Sequence, residues 1–213
     1  NSLSIRNMKR LVTTFLILLV SLSAFAGSGK TYTLSDYEKL EIQIPMRDGV
    51  KLFTSVYQPK EAHPDSPIII TRTPYGVGPY GEGFRRDLYE DRSWSNFVKA
   101  GYVIVFQDVR GRYLSEGSFT NIPPLYSVLD RQGRLSKKRR EKLPEVIVDE
   151  ATDTYDTVEW LVGHLESNSR VGFVGVSYPG YYATIAALCA HPAIVAVSPQ
   201  APVFDWFVGD DYH

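Results

Sequence analysis

The sequence predicts an α/β fold, in which a mostly parallel sheet is covered by helices on both faces and carries an antiparallel hairpin on its N-terminal side. Two observations lead to this prediction. From residue 67 onward, short apolar runs alternate with helical patterns, as they do where crossover helices join parallel strands. Before them, residues 40–57 hold two strand-like segments on either side of the turn signal Arg47-Asp48-Gly49, which indicates a hairpin.

Residues 8–26 have the features of a secretory signal peptide. They comprise, in order, Met8, the basic Lys9 and Arg10, an apolar run over 11–20, and the small residues Ala24 and Ala26 around Phe25. A membrane-spanning helix needs about 20 apolar residues, so the shorter run favours cleavage over a stable membrane anchor. We therefore expect residues 1–26 to be removed, residues 27–213 to fold, and the protein to be periplasmic or secreted.

The remaining elements follow from the period of the apolar residues. Runs rich in β-branched residues predict buried strands, and the 149–165 stretch repeats apolar residues at helical spacing behind the acidic start Asp149-Glu150, which suits the helix dipole. The predicted order after the hairpin is strand 67–71, helix 93–100, strand 102–106, helix 149–165, strand 171–174, helix 181–190 and strand 194–197.

The segment 121–148 does not fit this alternation. It has no clear periodicity, and residues 131–142 contain seven of the chain's 23 basic residues. A solvated surface excursion is the first interpretation of such a charge run, and contact with an anionic surface is the alternative. The net charge of the whole chain is -1, so we expect no nucleic-acid partner.

Cysteine and histidine usage argues against a metal or redox centre. The one cysteine, Cys189, lies in an apolar helical stretch and is expected to be a buried structural thiol. The four histidines show no metal-ligand spacing. We expect no metal and no cofactor.

The string Gly175-Val176-Ser177-Tyr178-Pro179-Gly180 follows a predicted strand and opens a predicted helix. That context is required of a nucleophile elbow, in which a serine on a sharp strand-to-helix turn projects its hydroxyl from the carboxyl edge of a sheet. Ser177 is therefore the predicted nucleophile. The alternative is a serine that merely caps the helix.

A serine nucleophile needs an oxyanion hole, a base and an orienting carboxylate. The backbone N–H of Tyr178 is the expected first donor, and the loop after strand 67–71 offers the hydroxyl of Tyr75, unless Tyr75 is an ordinary loop aromatic. Base and acid should follow the serine, but His191 lies at the far end of the helix that the elbow begins, and His213 is the last residue. We expect the triad to be incomplete and the fold to be truncated at its C-terminus.

At these residues the chain resembles the group of α/β-hydrolases that contains the X-prolyl dipeptidyl peptidases, cocaine esterase and the α-amino-acid ester hydrolases. The resemblance runs from about Glu41 to the end of the chain. It is carried by Met46-Arg47-Asp48-Gly49-Val50-Lys51-Leu52, Arg72-Thr73-Pro74-Tyr75, Gln107-Asp108-Val109-Arg110-Gly111-Arg112, Ser115-Glu116-Gly117, Asp153, Asp156, Glu159-Trp160-Leu161 and Gly175-Val176-Ser177-Tyr178. Arg110-Gly111-Arg112-Tyr113 and the stretch 205–211 are most similar to the α-amino-acid ester hydrolase branch, which is glutaryl-acylase-like.

The resemblance implies an α/β-hydrolase fold, with residues 27–213 as the N-terminal part of the catalytic domain. It implies that Ser177 is the nucleophile, that Tyr75 and Tyr178 form the oxyanion hole, and that Asp211 belongs to a carboxylate cluster that binds the substrate's α-ammonium. A solvated acidic loop is the alternative for Asp211. Pro179 departs from that branch, which usually has an acid there.

The expected function is acyl transfer, through an acyl-enzyme, on esters or amides of α-amino acids. The expected partner is a small-molecule or short-peptide substrate, and a homo-oligomer remains open. An X-prolyl dipeptidyl aminopeptidase of the same scaffold is the second hypothesis. A non-catalytic or inactive chain is the third.

Overall fold

One six-stranded sheet organises the computed structural model, which describes residues 30–61, 64–88 and 92–203. The strands are β1 (Tyr37–Pro45), β2 (Lys51–Pro59), β3 (Ile68–Thr73), β4 (Val103–Asp108), β5 (Val171–Val176) and β6 (Ile194–Gln200). The α-helices of the described ranges are α1 (Arg92–Lys99), α2 (Tyr126–Arg131), α3 (Lys137–Arg140), α4 (Glu150–His164) and α5 (Tyr178–Cys189), and a 3₁₀ helix spans Leu34–Asp36. The strand order across the sheet is β1-β2-β4-β3-β5-β6.

The pairing confirms the predicted mixture of antiparallel and parallel strands. β1 and β2 form the N-terminal hairpin, and β2 also pairs antiparallel with β4. β4, β3, β5 and β6 run parallel to one another. The hairpin turns at Gly49, whose φ of 85° is readily adopted only by glycine, and the amide of Met46 donates to the Val50 carbonyl at 2.8 Å to close the turn.

Alternating side chains of the central strands build two separate cores, one on each face of the sheet, because successive residues of a strand point to opposite faces. In β3, Ile68 and Ile70 join the core beneath α4 and α5, whereas Ile69 joins the core beneath α1. Helices therefore cover both faces of the sheet, as the sequence predicts.

This topology determines where a site can form. β3, β4 and β5 are parallel neighbours, so their carboxyl ends meet at one edge of the sheet. In open α/β sheets, ligands bind outside the carboxyl ends of the strands. At this edge, the loop after β3 carries Tyr75, and the chain leaving β5 carries Ser177 and Tyr178.

β6 forms the outer edge of the sheet in the described part of the chain, and it is unusually open. Val195 and Val197 are 55% and 36% exposed, although strand residues of this type are normally buried. None of the helices within residues 30–61, 64–88 and 92–203 is long and apolar enough to cross a membrane.

Candidate active site

Ser177 lies between β5 and α5, at the strand-to-helix turn where the sequence places it. Its backbone has φ 61° and ψ −120°, a conformation that non-glycine residues rarely adopt. The residue is exposed, and its side chain makes no capping hydrogen bond to α5. The helix-cap alternative is therefore not supported by the geometry, since a capping serine would accept a hydrogen bond from the first turn.

Two glycines make this turn sterically possible. A Cβ at Gly175 would lie 2.1 Å from the carbonyl oxygen of Pro179, and a Cβ at Gly180 would lie 2.8 Å from the carbonyl oxygen of Gln200. Pro179 itself occupies the first turn of α5, where a missing N–H leaves no hydrogen bond unmade. The last glycine of the motif can consequently stand one position later than in the commoner G-x-S-x-G pattern.

Backbone hydrogen bonds hold the strained residue on both sides. The amide of Ser177 donates to the carbonyl of Gln200 at 2.9 Å, which ties the turn to the end of β6. The carbonyl of Ser177 accepts from the amide of Tyr181 at 3.2 Å, within the first turn of α5. The side chain of Ser177 is thereby presented from a backbone that is anchored to both neighbouring elements.

Tyr75 and Tyr178 meet beside this turn. Tyr75 lies in the loop after β3 and is 62% exposed, and its ring packs edge-on against the ring of Tyr178 with centroids 6.1 Å apart. Tyr178 is the first residue of α5, so its backbone N–H lies at the positive end of the helix dipole. The structure thus brings Tyr75, Ser177 and Tyr178 to one edge of the sheet, and their catalytic roles remain predictions.

Contacts with neighbouring side chains fix the position of the Tyr178 ring. It is buried, it stacks on Tyr182 with centroids 5.4 Å apart, and its hydroxyl donates to the side-chain carbonyl of Asn121. Burial raises the pKa of the Tyr178 phenol, which keeps it protonated and able to donate. Asn121 was not singled out from the sequence, because no local pattern links residues 57 positions apart.

The loop that carries Tyr75 is fixed from the end of β4. Asp108 accepts hydrogen bonds at 3.0 Å from the amide of Val77 and from the hydroxyl of Tyr80, and Arg112 donates from Nε to the carbonyl of Pro74 at 2.9 Å. Burial raises the pKa of the Asp108 carboxyl. Two of the motifs that support the family resemblance therefore touch each other here and position Tyr75.

A buried polar network lies behind the site and centres on Arg72. Its guanidinium donates to the Gln107 side chain at 2.7 Å, to the Thr154 hydroxyl at 2.7 Å and to the Glu150 carboxylate at 3.1 Å. Its Cζ lies 5.6 Å from the ring centroid of Tyr182. Arg72 lies in β3, three residues before Tyr75, and its side chain contacts both α4 and α5.

Glu150 lies in the first turn of α4, as the sequence predicts, but it is buried there. The residue is only 5% exposed, and burial raises the pKa of its carboxyl to about 7 against the opposing effect of Arg72. Asp149 takes the capping role instead, because its side chain accepts from the amides of Ala151 and Thr152.

Other motif residues form ion pairs that attach the hairpin turn to α4. Arg110 bridges Asp48 and Asp153, with a shortest N–O distance of 2.7 Å to each, and Arg47 pairs with Asp156 at 2.7 Å. These groups are engaged with one another rather than directed at a substrate. The motifs that best identify the family therefore serve largely to assemble the scaffold.

The interpretation of 121–148 as a solvated excursion is wrong for its first part. Val128 belongs to the same buried cluster as Tyr178 and Cys189. Arg131 donates to the carbonyls of Leu188 and Cys189 at the C-terminus of α5, at 2.9 Å in the case of Cys189. Residues 121–131 therefore pack against the helix that begins at Ser177, whereas most of 132–148 is exposed.

His191 is a structural residue. It is 4% exposed; its Nε2 lies 2.9 Å from the Glu159 carboxylate, and its Nδ1 accepts from the amide of Ala193 at 3.1 Å. The twelve residues of α5 place it about 18 Å from Ser177 at 1.5 Å per residue. It is not positioned to act as the base for Ser177.

The other expectations about titratable groups have mixed outcomes. Cys189 is buried, as predicted, and burial raises the pKa of its thiol. Asp211 lies outside the described residues. Within the described ranges, no group of three or more His, Cys, Asp or Glu side chains could hold a metal ion.

Comparison with known proteins places the chain among serine hydrolases of one family. The profile of the family described as X-Pro dipeptidyl-peptidase (S15 family) matches residues 48–213. Cocaine esterase from Rhodococcus sp. (strain MB1 Bresler) is 28% identical over 170 residues, which cover 78% of this chain and 24% of the esterase.

Two solved structures are more similar in sequence. An α-amino acid ester hydrolase is 38% identical with a TM-score of 0.65, over 87% of this chain and 29% of that one. An aminopeptidase from the marine sediment archaeon Thaumarchaeota archaeon is 39% identical with a TM-score of 0.62, over 82% of this chain and 27% of that one. The chain thus spans less than a third of the length of each of these relatives.

Proposed function

Because the chain belongs to the X-Pro dipeptidyl-peptidase (S15) family, we propose that it carries the nucleophile and oxyanion hole of an exported serine hydrolase that acts on esters or amides of α-amino acids. The observation that supports this most strongly is the backbone of Ser177, which is strained, exposed and free of a capping role. Strain of this kind concentrates at functional sites and persists only where the surroundings enforce it.

In the proposed reaction, Oγ of Ser177 attacks the substrate carbonyl carbon while a general base takes the hydroxyl proton. The carbonyl π bond becomes an oxyanion, which accepts hydrogen bonds from the Tyr75 hydroxyl and the Tyr178 backbone N–H. When the carbonyl re-forms, the C–O or C–N bond to the leaving group breaks and the base returns its proton to that group. Water, or an amine, then releases the acyl group from Ser177 by the same steps.

The base and its carboxylate are proposed to come from the portion of the relatives' length that this chain does not span. The histidine of the described residues nearest to α5 in sequence, His191, is buried against Glu159 and is excluded by position. We expect the 213-residue chain alone to be a poor catalyst, because an unassisted serine hydroxyl is a weak nucleophile.

We further propose that the enzyme prefers substrates that bear an α-amino group. Its support is the similarity to an α-amino acid ester hydrolase and to an aminopeptidase, both at nearly 40% identity. Asp211 would contribute negative charge to hold the substrate ammonium, since a buried cation needs a nearby counter-charge. Cleavage after proline is the second candidate, and it is favoured by the description of the family whose profile matches.

Labelling by a fluorophosphonate tests the nucleophile directly, in the protein expressed from its whole reading frame. The intact protein should be labelled, Ser177→Ala should not be labelled, and Ser198→Ala, which removes an exposed serine of β6, should be labelled as the intact protein is. Absence of labelling in the intact protein would favour the non-catalytic alternative. Faster cleavage of an X-Pro-anilide than of an amino-acid ester would favour the dipeptidyl aminopeptidase.

Export is supported by the charged start, short apolar run and small residues of 8–26. N-terminal sequencing of the protein recovered from the periplasm or medium should give Gly27 as the first residue. Recovery of a chain that still begins before residue 8, from the cytoplasm only, would contradict export.

A further inference from the structure

The exposed part of the basic segment 121–148 has no role in the candidate active site. The net charge of this segment is opposite in sign to the net charge of the rest of the chain. Residues 121–148 contain seven basic and three acidic side chains and so carry four net positive charges. Since the whole chain carries -1, the remaining residues carry five net negative charges. Residues 121–148 therefore differ in the sign of their net charge from the rest of the chain, which holds the other 16 basic residues together with 21 acidic ones.

Some of these cations serve the fold and some do not. Arg131 binds the C-terminal carbonyls of α5, Arg139 lies over the ring of Tyr126, and Arg140 pairs with Asp130 at 3.2 Å. Lys137, Lys138 and Lys142 are exposed. Within residues 30–61, 64–88 and 92–203, no carboxylate lies within ion-pair distance of these three lysines.

These three lysines lie on and just after the short helix α3, which Arg140 and Arg139 attach to the body of the protein. Lys137 and Lys138 lie on α3, and Lys142 lies in the turn that follows it. We call Lys137, Lys138 and Lys142 the lysine surface. Arg139 and Arg140 fix the backbone of this segment, whereas the three lysine side chains are exposed to solvent.

The chemistry of the surroundings favours an extended anionic surface over a small anion. A cavity of about 630 Å³ is lined by Lys137 and Arg140 but also by Asp130, Glu141 and Glu145, so a phosphate or sulfate would meet carboxylates there. The neighbouring Val146 is 52% exposed, and aliphatic side chains beside lysines suit the headgroup region of a bilayer. The nearby Tyr126 is covered by Arg139, which leaves it poorly placed to stack on a nucleic-acid base.

We propose that the lysine surface docks the protein reversibly on an anionic lipid surface. Juxtaposed lysines attract anionic headgroups over a distance set by the Debye length, so such binding is weakened by salt.

Co-sedimentation with vesicles tests this proposal on residues 27–213, the chain expected after removal of the signal peptide. Vesicles of about 30% phosphatidylglycerol in phosphatidylcholine are compared with pure phosphatidylcholine, at about 20 mM and about 500 mM NaCl. The test variant is Lys137→Gln/Lys138→Gln/Lys142→Gln. The matched control is Lys51→Gln/Lys60→Gln/Arg170→Gln, which removes the same charge from exposed positions elsewhere.

We expect the test variant to lose roughly a hundredfold in partitioning onto the anionic vesicles at low salt, and the control to stay within about threefold of the original chain. Circular dichroism and thermal melting verify that both variants fold.

Equal loss in both triple variants would show that only net charge matters and would overturn the proposal. So would an unchanged test variant. Loss by the test variant of binding to a DNA duplex of about 20 base pairs, with no preference of the original chain for anionic over neutral vesicles, would assign the surface to nucleic acid instead. Ser177 labelling is measured separately, so failure here leaves the proposed hydrolase function standing.

Discussion

At the scale of single residues, the site depends on a serine held in an unfavourable backbone conformation. A non-glycine residue with φ near 61° costs on the order of 1–3 kcal/mol. Ser177 keeps this conformation because Gly175 and Gly180 have no Cβ that would clash with the backbones of Pro179 and Gln200. In addition, the carbonyl of Gln200 at the end of β6 accepts a hydrogen bond from the Ser177 amide. The glycines of the motif are therefore required by contact distances rather than by flexibility.

Gly175→Ala should destabilise the protein by about 2 kcal/mol or more, because its Cβ would meet backbone atoms of Pro179 at 2.1 Å. Urea unfolding followed by circular dichroism measures the loss. Gly163→Ala is the matched control, since nothing lies within 4 Å of a Cβ there and α4 should gain about 0.5–1 kcal/mol. Equal stability of Gly175→Ala and the original chain would show that the turn is not as tight as described.

Tyr75→Phe should lower kcat for ester hydrolysis by about 10²–10³-fold in the protein expressed from its whole reading frame, with KM and melting temperature nearly unchanged. The ring contact with Tyr178 is retained, and only the proposed oxyanion donor is lost. Tyr113→Phe removes a hydroxyl from another exposed tyrosine near the same loop and should leave kcat within about threefold. A Tyr75→Phe variant as fast as the original would remove Tyr75 from the oxyanion hole.

At the scale of elements, strands and long helices could be predicted because they repeat apolar residues at a clear period. All the strands and helices predicted between residues 40 and 197 are present. The main difference is that α5 begins at Tyr178 rather than at residue 181, since the elbow passes directly into the helix. The short helices α2 and α3 were missed because segments of six and four residues have too few turns to show a period.

Long-range polar contacts could not be predicted in the same way. Arg72 and Glu150 lie 78 positions apart, and their pairing depends on how α4 crosses the sheet. Asn121 reaches Tyr178 only because residues 121–131 fold back onto α5. Sequence patterns predicted which residues could do chemistry at the sheet edge, but not which side chains position them.

The buried Glu150 should make stability depend on pH. Its pKa is raised from 4.5 to about 7 in the folded chain, so the folded state binds this proton more tightly than the unfolded state does. The resulting stability is full below about pH 4.5 and is lost as pH rises through about 7.

Urea unfolding at several values between pH 5 and pH 8 measures this dependence. Glu150→Gln should lose less stability than the original chain over that range, by more than about 1 kcal/mol. Glu145→Gln, which neutralises an exposed carboxylate, should follow the original chain. Parallel pH profiles for Glu150→Gln and the original would contradict a raised pKa at this position.

At the scale of the whole molecule, the chain spans 24–29% of the length of its relatives. Within residues 30–61, 64–88 and 92–203, β6 has no strand on its outer side, and the exposed Val195 and Val197 add apolar surface to that edge, with which another strand can pair. The family and the fold were identifiable from the sequence alone, because motifs from residue 46 to residue 178 recur together in one order.

The 213-residue chain should therefore self-associate through β6. Val195→Lys should shift it toward monomer, because lysine on an edge strand opposes edge-to-edge pairing. Sedimentation velocity over a range of concentrations measures the shift, and Val146→Lys adds the same charge to an exposed valine outside the sheet. An original chain that stays monomeric, or an equal response to both substitutions, would rule out association through this edge.

We propose that Ser177 is the nucleophile of an amino-acid ester hydrolase. Hydrolysis of phenylglycine methyl ester and of phenylacetic methyl ester should be compared for the protein from its whole reading frame and for its Ser177→Ala variant. We expect a Ser177-dependent rate that is far higher for the ester bearing the α-amino group. Equal Ser177-dependent rates would retain the esterase and remove the amino-acid preference, and hydrolysis that survives Ser177→Ala unchanged would contradict the claim itself.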